Sequence, residues 1–219
     1  MKLDTTMAVV TGGASGLGEA TARHFAARGA QVTLLDRDSN RGPQVAHDIG
    51  GHFTETDVTD ETSVTDAVAY ARQQMGGLTA AVNCAGIALG IKTVGRDGPH
   101  PLPAFQTTLD INLVGSFNVA RLAAAAMADN APEPDGARGV IINTASIAAF
   151  DGQKGQAAYA ASKGGVVGMT LPMARDLAAS GVRVMTIAPG IFKTPMLAGL
   201  PDDVQASLAA DVPSPARLG

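Results

Sequence analysis

The 219-residue sequence predicts a single α/β domain: a doubly wound parallel sheet with helices on both faces. Three observations carry this. Short apolar or β-branched runs alternate with longer Ala-rich stretches of helical period, the pattern of successive βαβ crossovers. A glycine-rich turn, Gly12-Gly13-Ala14-Ser15-Gly16-Leu17-Gly18, joins the first run to the first helical stretch. Gly12, Asp36, Asp57, Asn83, Ser146 and Pro189 each fall just after a run, where ligands of an open parallel sheet gather.

In chain order, strands are expected at 6–11, 31–36, 52–56, 79–83, 139–144 and 183–187, and helices at 16–28, 40–49, 61–75, 103–128 and 157–179. The segments 87–103 and 131–138, rich in Gly, Pro and charge, read as surface excursions. Pro172 falls inside the last helix. It lacks a backbone donor and crowds the Gly168 carbonyl, so a kink or two abutting helices is expected. No repeat or domain-scale linker interrupts 1–219, and a substrate loop is expected at about 191–215.

Composition narrows the function class. With 46% hydrophobic and 16% charged residues the chain is not disordered, and a net charge of −4 supplies no basic field for nucleic acid. The single cysteine, Cys84, has no partner for an internal disulfide. His24, His47, His52 and His100 show no ligand spacing, so no structural metal is expected. The apolar run Met7-Ala8-Val9-Val10 is too short for a signal segment or a bilayer span. A soluble protein with no membrane partner is expected, in the cytoplasm, or in the mitochondrial matrix if a transit peptide has been removed.

Small residues in the glycine turn let a pyrophosphate approach the backbone, and the helix N-terminus behind it favours the anion. Taken alone, such a turn also suits an ordinary tight bend. Asp36, ending the second strand, can accept hydrogen bonds from both adenosine ribose hydroxyls and repel an added phosphate, which favours NAD over NADP. Arg37 is the counter-argument, since a guanidinium can bind that phosphate. Asp57 and Val58 suit an adenine edge and face, and Asn83-Cys84-Ala85-Gly86 leaves room for a cofactor.

Of the two tyrosines, Tyr70 has Gln74 four positions on, whereas Tyr159 has Lys163 on the same helix face. A phenol with a pKa of about 10 is a poor base at neutral pH, but an adjacent ammonium and the positive nicotinamide of NAD+ both favour phenolate. Tyr159 can then act as acid and base. Ser146, just past the fifth strand, can hydrogen-bond a substrate oxygen as charge builds on it.

Thr11-Gly12-x-x-x-Gly16-x-Gly18, Asn83-x-Ala85-Gly86, Asn112, Ser146, Tyr159-x-x-x-Lys163 and Pro189-Gly190 together resemble the short-chain dehydrogenase/reductase family, in the same order and over nearly the whole chain. The resemblance implies a Rossmann-like fold with Tyr159 as catalytic acid/base. It implies that Lys163 holds the nicotinamide ribose and lowers the tyrosine pKa, that Ser146 orients the substrate oxygen, and that Asn112 supports a water-linked proton relay. The phrases 81–87, 139–146, 155–159, 168–172 and 185–190 resemble the type II 3-hydroxyacyl-CoA dehydrogenases, also described as hydroxysteroid and 3-hydroxy-2-methylbutyryl-CoA dehydrogenases. That subgroup implies NAD contacts at Ser15, Leu17, Asp36, Asp57, Val58, Cys84, Phe192 and Thr194. Gln153 and Gln156 are candidates to face substrate.

The family continues past the segment 191–200 through a further helix and a final strand, which this sequence lacks. A truncated form of a longer polypeptide is therefore expected, with strand 183–187 as an uncovered apolar edge. A homo-oligomer, dimer or tetramer, is expected of the full-length form. Ala123-Ala124-Ala125-Ala126 permits close helix packing either between subunits or within one. The expected reaction interconverts an (S)-3-hydroxyacyl-CoA and a 3-oxoacyl-CoA. Alternatives are a steroid or simple-alcohol dehydrogenase, a 3-oxoacyl reductase, and, in another class, a non-catalytic NAD-binding redox sensor. Binding alone does not require a proton-transfer group, so the Ser146, Tyr159 and Lys163 set argues for an enzyme.

Overall fold

The computed structural model describes residues 2–198, 202–210, 212 and 215–219. Strands β1 (Met7–Thr11), β2 (Gln31–Asp36), β3 (His52–Glu55) and β4 (Ala80–Asn83) precede a small hairpin of β5 (Val94–Gly95) and β6 (Gly98–Pro99). Then come β7 (Gly139–Thr144) and β8 (Val182–Ile187). All but the hairpin form one six-stranded parallel sheet in the order β3-β2-β1-β4-β7-β8. Winding reverses between β1 and β4, which opens a crevice at their carboxyl ends. The doubly wound α/β fold expected from the sequence is the one observed.

Burial on both faces explains the continuous apolar character of β1, in which Ala8, Val9 and Val10 have no exposed surface. On one face Val9, Leu35, Ala81 and Ile141 pack against Val64 and Ala71 of α3 (Glu61–Met75) and Val119 and Met127 of α5 (Gly115–Ala128). On the other, Val10, Val32 and Leu34 meet Ala22 of α1 (Gly16–Ala26) and Val45 of α2 (Arg41–Asp48). The α3 boundaries are written locally: the Asp60 carboxylate accepts from the Ser63 N–H at its start, and Gly76, at φ +78°, ends it.

Several elements depart from the sequence expectation. The helix expected at 103–128 is instead α4 (Leu102–Leu109), a π-helical turn (Asp110–Val114) and α5. At the end of that turn Gly115 lies so close to Val58 that an added Cβ would fall 2.5 Å from its methyl group, so tertiary contact, not local propensity, shapes the distortion. The 27-residue run Leu102–Ala128 is apolar and long enough to cross a membrane, yet 56% of its most apolar window is buried against the protein, the position of an internal helix. Helix α6 (Ala157–Asp176) continues unbroken through Pro172, in place of two abutting helices. Ala123, Ala124 and Ala126 are buried within the subunit, whereas Ala125 is exposed.

The substrate loop expected at 191–215 contains two helices with no sequence forecast, α7 (Pro195–Ala198) and α8 (Asp202–Ala210). Positions 199–201, 211, 213 and 214 of that loop lie outside the described residues. Strand β8 is the sheet edge. It buries Val182 and Val184 but exposes Met185 (52%) and Ile187 (58%), the apolar edge anticipated for 183–187.

Candidate active site

A cleft of about 610 Å³ opens over the carboxyl ends of β1, β2, β4 and β7. Its first wall is the glycine turn. Gly12 sits at φ +63°, and a Cβ on it would lie 2.9 Å from the Ala85 nitrogen; a Cβ on Gly18 would meet the Gly12 carbonyl oxygen. Neither position tolerates a side chain, so the backbone itself forms the surface there. Ser15, Gly16, Leu17 and Gly18 line this wall. Thr11, one residue before the turn, uses its hydroxyl to accept the N–H groups of Cys84 and Ala85, both at 3.0 Å, and so ties the β1 and β4 exits together.

At the end of β2 the Asp36 carboxylate accepts from the Ala14 N–H and the Asp38 N–H, each at 3.0 Å. These bonds hold the carboxylate against the glycine turn. Arg37 points a largely exposed guanidinium toward Asp57, 3.8 Å from its Oδ2. Hydrogen bonds from the Thr59 hydroxyl and N–H hold the Asp57 carboxyl below its ordinary pKa. Asp57 and Val58 reach the cleft as expected, and Cys84, Ala85 and Gly86 form its floor.

The reactive side chains converge at the other end. Ser146 caps the short 3-10 turn Ile147–Ala149, its Oγ accepting from the Ala148 N–H at 3.1 Å, and it lines the cleft together with Tyr159. One turn along α6 the Lys163 ammonium lies 5.7 Å from the Tyr159 ring centroid and donates to the Thr144 carbonyl at 2.7 Å. Gly86 leaves space for it: an added Cβ would approach both Lys163 Nζ (3.7 Å) and Asn112 Oδ1 (3.1 Å).

Electrostatics revise one expectation. Burial pushes the Tyr159 phenol above its ordinary pKa, and the Ser146 hydroxyl only partly opposes this. The resemblance implied a lowered value. With the protein's own groups alone, desolvation outweighs the Ser146 interaction, so Tyr159 is a proton donor at neutral pH. Burial also lowers Lys163 from 10.5 to about 8, against a smaller opposite effect of Cys84. Desolvation likewise raises the Cys84 thiol, with the Thr144 hydroxyl and Lys163 charge acting the other way.

Two residues expected at the cofactor and the reaction centre stand behind the cleft wall. Asn83 is buried, donating through Nδ2 to the Ser116 carbonyl (3.1 Å) and to Asn143 Oδ1 (2.9 Å). Strand alternation turns it toward α5, away from the cleft. Asn112, in the π turn, has no exposed surface; its Oδ1 accepts from the Ile87 N–H (2.8 Å) while Nδ2 donates to the Ile87 carbonyl (2.9 Å). Pro189, Gly190, Phe192 and Thr194 do line the cleft, as do Gln153 and Gln156, whose Oε1 accepts from the Gln153 N–H at 2.9 Å. Sequence reading missed the apolar liners Ile147, Ile191 and Leu197, which carry no chemical signature, and Lys154 and Asp151 at the same end.

A family model for short chain dehydrogenases matches residues 6–205. The chain belongs to the short-chain dehydrogenases. This dehydrogenase is 55% identical over 217 residues to human "3-hydroxyacyl-CoA dehydrogenase type-2", spanning 97% of this chain and 83% of the relative. The Drosophila melanogaster protein of the same name is 52% identical over 221 residues, 99% of this chain and 87% of that one. Among solved structures, 3-hydroxyacyl-CoA dehydrogenase type-2 from Mycobacterium avium superposes with a TM-score of 0.91 at 44% identity, covering 99% of this chain and 85% of its own. The dehydrogenase is thus an oxidoreductase acting on CH–OH groups with a nicotinamide cofactor. Its cradle fits such a dinucleotide: the side-chain-free surface at Gly12 and Gly18 admits the pyrophosphate, and the tethered Asp36 carboxylate stands where a ribose would end.

Proposed function

We propose that the enzyme interconverts (S)-3-hydroxyacyl-CoA and 3-oxoacyl-CoA, with NAD rather than NADP as its cofactor. The observation that carries the chemistry is the grouping of Ser146, Tyr159 and the buried Lys163 ammonium in the dinucleotide cleft. The acyl-CoA assignment rests on the names of relatives above 50% identity across nearly the whole chain.

The bound nicotinamide supplies the hydride acceptor or donor. In ketone reduction Tyr159 gives its phenolic proton to the substrate oxygen, and in alcohol oxidation it takes the hydroxyl proton. Ser146, with its oxygen already engaged by the Ala148 N–H, presents its proton to the same oxygen as negative charge develops. Lys163 holds the nicotinamide ribose and offsets phenolate charge, and Gln153 and Gln156 border the acyl group. NAD is favoured because Asp36 is fixed at the ribose end while Arg37 leans toward Asp57. A homo-oligomer in the cytoplasm or the mitochondrial matrix is the proposed working form.

The test is a cofactor competition with acetoacetyl-CoA. The enzyme is expected to oxidise NADH at least about tenfold more efficiently than NADPH, a difference of about 1.4 kcal/mol in transition-state binding. A preference for NADPH would instead favour a 3-oxoacyl reductase. Turnover confined to steroid or simple-alcohol substrates would remove the acyl-CoA assignment, and saturable NADH binding without turnover on any of them would favour the redox-sensor reading.

A further inference from the structure

We infer that Ser162 is a positioning residue for the reaction: its hydroxyl bridges the Asn112 side chain and the Tyr159 carbonyl, and so clasps the catalytic turn of α6 to the π turn and the cleft wall. Ser162 has no exposed surface. Its Oγ donates to the Tyr159 carbonyl at 2.7 Å and accepts from Asn112 Nδ2 at 3.0 Å. The Asn112 carboxamide is in turn fully engaged, exchanging hydrogen bonds through Oδ1 and Nδ2 with the N–H and carbonyl of Ile87, a residue lining the cleft beyond β4. The Ser116 hydroxyl pins the same turn by donating to the Asn112 carbonyl at 2.7 Å. An unbroken run of bonds therefore links Ile87, Asn112, Ser162 and Tyr159, all of them short.

A serine that merely satisfies its own helix would look different. Thr65 shows that pattern, its hydroxyl donating back to the Glu61 carbonyl at 2.8 Å within α3, where such a bond does little for helix stability. Ser162 adds an acceptor role toward an element 50 residues away. The π turn is what brings Asn112 inward to meet it, giving that distortion a purpose. Removing the hydroxyl leaves an Asn112 Nδ2 hydrogen unpaired in a dry interior and frees the turn that carries the phenol. Displacement of about 1 Å at a reacting group can cost about 10²-fold in rate.

This rests on the proposed role of Tyr159 as acid/base. In Ser162→Ala, kcat for NADH oxidation with acetoacetyl-CoA is expected to fall about tenfold or more, while KM for NADH stays within about twofold. The apparent pKa of the kcat profile should move by about half a unit or more, because the phenol's separation from the Lys163 ammonium changes. Ser162→Thr, which keeps a hydroxyl that can bond the same helix carbonyl, should restore both. If Ser162→Ala does not fold, Ser162→Cys, with its weaker hydrogen bonding, is judged by the same two readouts. Native kcat and an unmoved profile overturn the inference, as does a loss of rate that matches the loss of NADH-binding protein with no pKa change. An active Tyr159→Phe enzyme would remove the underlying acid/base reading, whereas an unmoved Ser162 variant beside an inactive Tyr159→Phe enzyme removes only the positioning role.

Discussion

Lys163 is where function works against stability. A buried ammonium, with its pKa lowered from 10.5 to about 8, is less comfortable folded than unfolded by about 3 kcal/mol at neutral pH. Between pH 8 and 10.5 the unfolded chain binds more protons at this site, so the penalty is full below about 8 and fades as pH rises toward 10.5. Lys163→Met is therefore expected to abolish turnover yet raise the melting temperature at pH 7, with the gain shrinking between pH 8 and 10. The lost bond to the Thr144 carbonyl, about 1 kcal/mol, is the smaller effect. A variant that melts lower than the parent at pH 7 would show that the pairing outweighs desolvation.

At the scale of elements, Pro172 is an exposed defect in α6, leaving the Gly168 carbonyl without its helical donor. Tyr159 and Lys163 lie in the opening turns of the same helix, well before it. Pro172→Ala should stabilise the fold by about 1 kcal/mol in a denaturant titration, part of the helix gain being cancelled by a freer unfolded chain, and leave kcat unaltered. A loss of stability would mean that proline sets a bend the packing needs. Element identity was legible in sequence wherever it depends on neighbours along the chain. The six sheet strands, the glycine turn and the Tyr159–Lys163 spacing are of that kind. What depends on distant partners was hidden: the π turn answers to Val58 against Gly115, and Asn83 and Asn112 read as site residues although strand and helix geometry turn both behind the wall. The hairpin β5–β6 and helices α7 and α8 lay in segments whose composition signals only loops.

Across the whole molecule, the sheet carries its chemistry at one end and an apolar edge at one side. Exposed Met185 and Ile187 on β8 are the kind of surface that soluble proteins cover or pair. Ile187→Lys is expected to lower self-association in sedimentation velocity while leaving the thermal transition nearly unchanged, since the side chain is 58% exposed. An unaltered mass distribution would place subunit contact elsewhere. The same layout explains why the cleft reads so clearly: Gly12, Asp36, Asp57, Cys84, Ser146 and Pro189 each lie at or just past a strand end, and Tyr159 and Lys163 lie on the helix packed beside β8. That design makes one side chain decisive. Single-turnover NADH oxidation by acetoacetyl-CoA in Tyr159→Phe, paired with an NADH binding titration, should show hydride transfer slowed at least about 10³-fold with NADH affinity within about threefold of the parent. Turnover at the parental rate in a variant that still binds NADH would contradict proton transfer by Tyr159.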